Sequence, residues 1–155
     1  MYIPKNPSKY IHINNKMNES NKFPIYRSSW ELKFFKYCDL NDDIRYWTSE
    51  PIGIEYYNPI KEKICKYYPD FLISYTDKNI LVEIKPKSQT YAAHTAYDKE
   101  QLEINKAKWE AAQKFCDERG IKFVILTENE LGINKPKKPR RARKGGATLK
   151  ERSFI

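Results

Sequence analysis

Within RSSWELKFFKYCDLNDD, the apolar positions Trp30, Phe34, Tyr37 and Cys38 recur at i, i+4, i+7 and i+8, a stripe that predicts an amphipathic helix. Ser28 with Glu31 three residues later matches a capping box and fixes the helix start. From Ile44 to Tyr57 the pattern turns to strands, broken at Ser49-Glu50-Pro51, and NPIKE predicts a turn. Strands resume through KYYPDFLISYTDKNILVEIKPKS, which reads as a hairpin of two apolar strands. A long helix is expected from about Tyr97 to Arg119, closed by Gly120 as the residue that takes a left-handed conformation. A last strand, IKFVILTE, precedes a short helical turn. The order helix, antiparallel strands, helix, strand predicts an α/β fold: a central mixed sheet with helices against it. Three regions are expected: an extended arm over 1–26, a domain over 27–133 and a basic tail over 134–155.

Length and charge sharpen this picture. A chain of 155 residues suits one domain with a real core. The formal charge of +9 is uneven: Lys135 to Arg152 hold nine Lys and Arg against one Glu, which leaves 20 basic and 19 acidic residues elsewhere. The tail KPKKPRRARKGGATLKER has almost no apolar residues, so it is expected to be disordered when free. So dense a charge run repels itself unless an anion relieves it, which points to sequence-independent phosphate binding by Arg140, Arg141, Arg143 and Lys144. Cys38, Cys65 and Cys116 form no CxxC pair, which argues against a disulfide framework or zinc site and fits a reducing compartment. No run of eighteen apolar residues exists, and MYIPKNPSKYIHIN lacks the apolar centre of a signal peptide. A GxxxxGKS phosphate loop is absent, which excludes an ordinary NTPase.

The candidate chemistry sits in the hairpin, which carries Asp70, Glu83 and Lys85 where a core strand should avoid charge. With Asp77 and Lys78 as the central pair of a Thr76–Asn79 turn, Asp70 is expected opposite Lys85 and Leu72 opposite Glu83. Alternation then puts Asp70, Glu83 and Lys85 on one face. Two carboxylates that close repel unless a cation sits between them. A hard ion such as Mg²⁺ takes such oxygens and fills its other positions with water and phosphate. Lys85 beside it would orient a water or stabilise charge on the phosphate. The plain alternative is a cross-strand ion pair between Asp70 and Lys85 with Glu83 on a solvated face. Apolar FLIS and ILV argue instead for central strands, where ionised groups need partners.

Other groups fall into place around this hairpin. Glu31 is a candidate third carboxylate as well as a capping residue, and Arg27 a candidate phosphate contact near the same helix N-terminus. Gln101, Asn105 and Lys108 form a polar line at i, i+4 and i+7 on the long helix, from which Lys108 reaches a phosphate if that face leans over the hairpin. Glu50 reads as a turn residue, and His12 and His94 have no partner for nucleophilic catalysis.

PD at 69–70, EIK at 83–85 and Glu31 on a preceding helix resemble the PD-(D/E)XK nuclease superfamily. Three blocks, YRSSWELKFFKYCD, YYPDFLISYTDKNILVEIKPKSQT and INKAKWEAAQKFCDERGIKFVILTENELGI, resemble the head completion nucleases of contractile-tailed phages, from about Tyr26 to Ile133. The TnsA endonuclease subunit of certain transposons is similar in the same helix-then-PD-then-xxK order. The resemblance implies a restriction-endonuclease-like core and a Mg²⁺-dependent DNA endonuclease, with Mn²⁺ as a substitute metal. It implies Glu31, Asp70 and Glu83 near the metal and Lys85 as the catalytic lysine. It also implies trimming of DNA at a filled capsid, portal or neck partners, and a place in the host cytoplasm and the virion. The other readings are a TnsA-type cutting subunit that needs a partner protein, and a non-catalytic DNA-binding protein of the capsid vertex.

Overall fold

The computed structural model describes residues 1–13, 23–91 and 93–132, so the basic tail with Arg140, Arg141, Arg143 and Lys144 lies outside the described residues. The first helix, α1 (Ser29–Leu40), starts where the capping box placed it. Ser28 Oγ accepts the Glu31 N–H at 3.1 Å, and the Glu31 carboxylate accepts the backbone N–H of Ser28. Strands β1 (Ile44–Ser49), β2 (Ile54–Asn58), β3 (Lys63–Tyr67), β4 (Phe71–Tyr75) and β5 (Asn79–Ile84) follow. A single helical turn α2 (Ser88–Tyr91), the long helix α3 (Ala96–Asp117), strand β6 (Lys122–Leu126) and the short α4 (Glu128–Leu131) complete the order. Gly120 has a φ of +65°, and just past it the Ile121 N–H returns to the Cys116 carbonyl at 3.0 Å, which ends α3 as its sequence implied.

The main sheet runs β1-β4-β5-β6, antiparallel across its first two pairings and parallel between β5 and β6, so it is mixed. Helix α3 is the crossover that a parallel β5–β6 pairing requires. Strands β2 and β3 form a separate two-stranded sheet. The chain thus folds as an α/β domain whose charged hairpin, β4–β5, occupies the two central positions.

Alternation along β4 and β5 builds two cores. Phe71, Ile73, Ile80 and Val82 pack with Phe34, Phe35 and Tyr37 of α1. Leu72 and Leu81 face the other way, toward Ile54, Tyr56 and Tyr67 of the small sheet and Ile104, Ala112 and Cys116 of α3. Each fully buried large side chain contributes about 1.5–3 kcal/mol, so losing either layer would unfold the domain. The three cysteines are free, with Cys38 and Cys116 buried as small apolar residues. Among the described residues, no helix is long and apolar enough to cross a membrane.

Of the expected arm, residues 1–13 lie against the domain: Pro7–Lys9 form a 3-10 turn, and Tyr10 bridges to Trp47 along the outer edge of β1. The anchor is Asp39, fully buried, whose carboxylate accepts Tyr2 O–H and Lys5 N–H at 2.7 Å and Asn6 N–H at 2.9 Å. The hairpin register differs from the expected one. Tyr75 N–H donates to Lys78 O at 2.8 Å, so Thr76 and Asp77 form the central pair, and Leu72 faces Leu81 rather than Glu83. Asp70 therefore does not lie opposite Lys85. Moving the turn by one residue shifts the pairing by two, which leaves every side chain on its expected face.

Candidate active site

Pro69 has no N–H to offer a ladder, and β4 begins just beyond it at Phe71. Asp70 sits at this junction. Its carbonyl accepts the Glu50 N–H at 2.8 Å, and its Oδ2 accepts the Ile84 N–H at 2.7 Å. Glu50 adopts a φ of +46°, a strained turn conformation that directs its N–H onto Asp70. On the neighbouring strand, Glu83 follows Val82, and Lys85 is fixed by its own N–H donating to the Leu126 carbonyl at 2.9 Å. The Lys85 ammonium lies 3.6 Å from the Glu83 carboxylate.

Glu31 enters from the α1 layer. With Asp70, Glu83, Lys85, Ser28 and Trp30 it lines one cavity of about 420 Å³. The hairpin charges and the helix-borne carboxylate that the sequence singled out are therefore brought together. The two roles of Glu31 compete, however, because its carboxylate bends back to the N–H groups of Arg27 and Ser28. Arg27 pairs with Glu50 at 2.8 Å beside the same carboxylates, so a phosphate approaching it would compete with that partner.

Burial dominates the electrostatics. It pushes the Asp70 carboxyl up to about 8, and the charges of Glu83 and Glu31 push the same way, while the Ile84 N–H and Lys85 oppose them. Burial raises Glu83 as well, against the Tyr67 hydroxyl, Lys85 and Lys108. Tyr67 O–H donates to Glu83 Oε2 at 2.7 Å. That tyrosine, three residues before Asp70, was not singled out in the sequence; the only signal was an aromatic residue with a polar tip beside the PD pair.

Helix α3 leans over the hairpin. The Lys108 ammonium lies 5.8 Å from the Tyr56 ring centroid and 5.7 Å from that of Tyr67. Burial and Lys85 lower its pKa, with Glu83 opposing. Gln101 and Asn105 line a further cleft with Lys85 and Lys108.

Among the described residues, no group of three or more His, Cys, Asp or Glu side chains gathers as a metal cluster. The fit of a cation rests instead on the Asp70–Glu83 pair. Glu83 is buried and Asp70 partly buried, desolvation raises the pKa of both, and each accepts a hydrogen bond from an uncharged donor. A hard divalent ion would neutralise both and complete its coordination with water and phosphate oxygens.

Comparison with known proteins gives the site its context. Residues 41–128 match the family described as TnsA-like endonuclease N terminal, a stretch that contains Asp70, Glu83 and Lys85. The chain is also 36% identical over 143 residues to the head completion nuclease of Enterobacteria phage T4, covering 84% of this chain and 91% of that protein. No solved structure matches the chain. With more than half of its length inside the family and its acidic pair and lysine inside the matched stretch, the chain belongs to the TnsA-like endonucleases, on a restriction-endonuclease-like α/β core.

Proposed function

We propose that the protein is a metal-dependent DNA endonuclease that completes phage heads by trimming packaged DNA before the neck and tail attach. The observation that carries the hydrolytic reading is the pair of adjacent, under-compensated carboxylates, part-buried Asp70 and buried Glu83, with the Lys85 ammonium at 3.6 Å from Glu83. Asp70 and Glu83 would hold Mg²⁺, or Mn²⁺ in its place. When bound, the ion lowers the pKa of an attacking water and offsets charge on the phosphate. Lys85 orients that water and stabilises the negative charge that develops on the phosphoryl oxygens. Glu31 lies close enough to Asp70 to add its charge, and it serves as a further ligand or as a base when its carboxylate leaves the N–H groups of Arg27 and Ser28. Tyr67 holds the Glu83 carboxylate in one orientation. Lys108, Arg27 and the basic tail hold DNA phosphates, which accounts for recognition without base reading.

Head completion is favoured over a transposon-type cutting subunit by coverage. The phage relative aligns along 84% of this chain, whereas the endonuclease family matches residues 41–128. The task implies work in the host cytoplasm and the virion beside portal or neck proteins. The test is incubation of the purified protein with supercoiled plasmid and with branched DNA, in Mg²⁺ or EDTA, alongside Lys85→Ala. Cleavage that needs Mg²⁺ and disappears in the variant is expected. Equal cutting by both proteins would contradict the assignment of the site, and DNA binding without cutting in Mg²⁺, or in Mn²⁺ added in its place, would contradict the activity.

A further inference from the structure

Next to the proposed metal site lies a second cleft, of about 270 Å³, that hydrolysis at Asp70 and Glu83 does not require. It opens between α2 and the first half of α3; Lys85, Gln101, Asn105 and Lys108 line it together with one carboxylate, Asp98, which is taken up by the N–H groups of His94 and Thr95. Asn105 is the unusual member. It is only 8% exposed, yet its side chain makes no hydrogen bond to any described residue. Its amide keeps contact with the solvent of the cleft and is free to hydrogen-bond a ligand there. Its neighbours on the cleft wall are two lysines, of which Lys108 is held against the Tyr56 and Tyr67 rings and forms no ion pair with a described residue. Burial and the charge of Lys85 both lower the pKa of Lys108, with Glu83 opposing them.

We infer that this cleft is a subsite for the phosphodiester next to the scissile one on the cleaved strand, held by the Asn105 amide and the Lys108 ammonium with Gln101 at its rim. The inference rests on the endonuclease reading of the adjoining site. Lys85 lines both cavities, so successive phosphates of one strand can engage the two together. Lys108 supplies charge, and the amide N–H groups of Asn105 supply direction, as hydrogen bonds to an anionic oxygen do. Asn105 is thus a positioning residue: it fixes the register of the strand so that the correct linkage faces Asp70 and Glu83.

The test is a scan of end-labelled duplexes, each with one neutral methylphosphonate at a known linkage, cut by the full-length protein in Mg²⁺. In the wild type, each substitution is expected to lower cutting at its own linkage and, about tenfold, at one adjacent linkage. In Asn105→Ala the adjacent loss shrinks below about threefold while the loss at the substituted linkage persists. Gln101→Ala, on the more exposed part of the same row, shrinks it to a smaller extent and guards against a folding defect in the buried variant. An adjacent loss that stays undiminished in both variants overturns the subsite but leaves the nuclease standing. Absence of any cutting by the wild type overturns the nuclease reading, and the subsite with it.

Discussion

Two sites in this domain bury carboxylates, and they are built in opposite ways. Asp39, at the end of α1, receives three hydrogen bonds on its carboxylate, from Tyr2, Lys5 and Asn6, and its carbonyl accepts two more from Asn6 and Lys9. Asp70, just before β4, and Glu83, near the end of β5, accept one N–H and one phenol O–H respectively; Lys85 lies 3.6 Å from Glu83, and the charge of Glu83 raises the cost of ionising Asp70. A buried acid satisfied within the chain joins one segment to another; here it docks the N-terminal residues onto the end of α1. A buried charge left short of partners is destabilising until something else supplies them. On the proposed function, the difference separates a structural acid from a pair of acids that would hold a metal ion.

Asp70→Asn should break the contrast most strongly. Cutting of plasmid is expected to fall by about a thousandfold, as for loss of a metal ligand or a major electrostatic contact. The unfolding temperature at pH 8 should rise by a few degrees, because one of two repelling charges is gone. Asp39→Ala should do the reverse, costing about 3 kcal/mol in a denaturant titration by stranding its donors, while the folded fraction keeps its rate within about twofold. If Asp39→Ala were neutral, the docking of the N-terminal residues would carry no stability.

Finer changes probe Glu83 and the titration itself. Tyr67→Phe removes the hydroxyl that holds Glu83, and should lower the cutting rate about tenfold at a stability cost of about 1 kcal/mol. Because that hydroxyl opposes the rise in the Glu83 pKa, the acid limb of the rate profile should move to higher pH in the variant. Stability should also depend on pH with a definite sign. The Asp70 carboxyl is raised from an unfolded value near 4 to about 8, so the folded state binds the proton more tightly. This contribution is complete below about pH 4 and is lost as pH rises through 8. Without divalent metal, melting curves from pH 5 to 9 should show a falling midpoint, with a shallower fall in Asp70→Asn.

How far the sequence revealed this site depended on the range of the interactions. Local signals held: the Ser28–Glu31 capping box, the apolar strands on either side of Glu83, and Gly120 after α3 all depend on residues a few positions apart. The pairing of the hairpin was harder to read, because Thr76, Asp77, Lys78 and Asn79 are all acceptable turn residues and a two-residue shift preserves both faces. Tyr67 and Asp39 could not be assigned roles locally. Tyr67 meets Glu83 sixteen positions away, across two sheets, and Asp39 finds its donors more than thirty positions upstream. Asn105 stood out only as one of a polar row; its place on the wall of the cleft depends on how α3 rests over the hairpin.

The central claim is that Asp70 and Glu83 are short of partners because they hold a divalent cation. The most direct measurement is the unfolding temperature of the DNA-free protein at pH 8 against Mg²⁺ concentration, for the wild type and Asp70→Asn. The account predicts a saturable rise of about 5 °C in the wild type, since an ion bound to the folded state alone stabilises it, and little or no rise in the variant. Equal responses in the two proteins, or none in the wild type up to concentrations that support cutting, would contradict it.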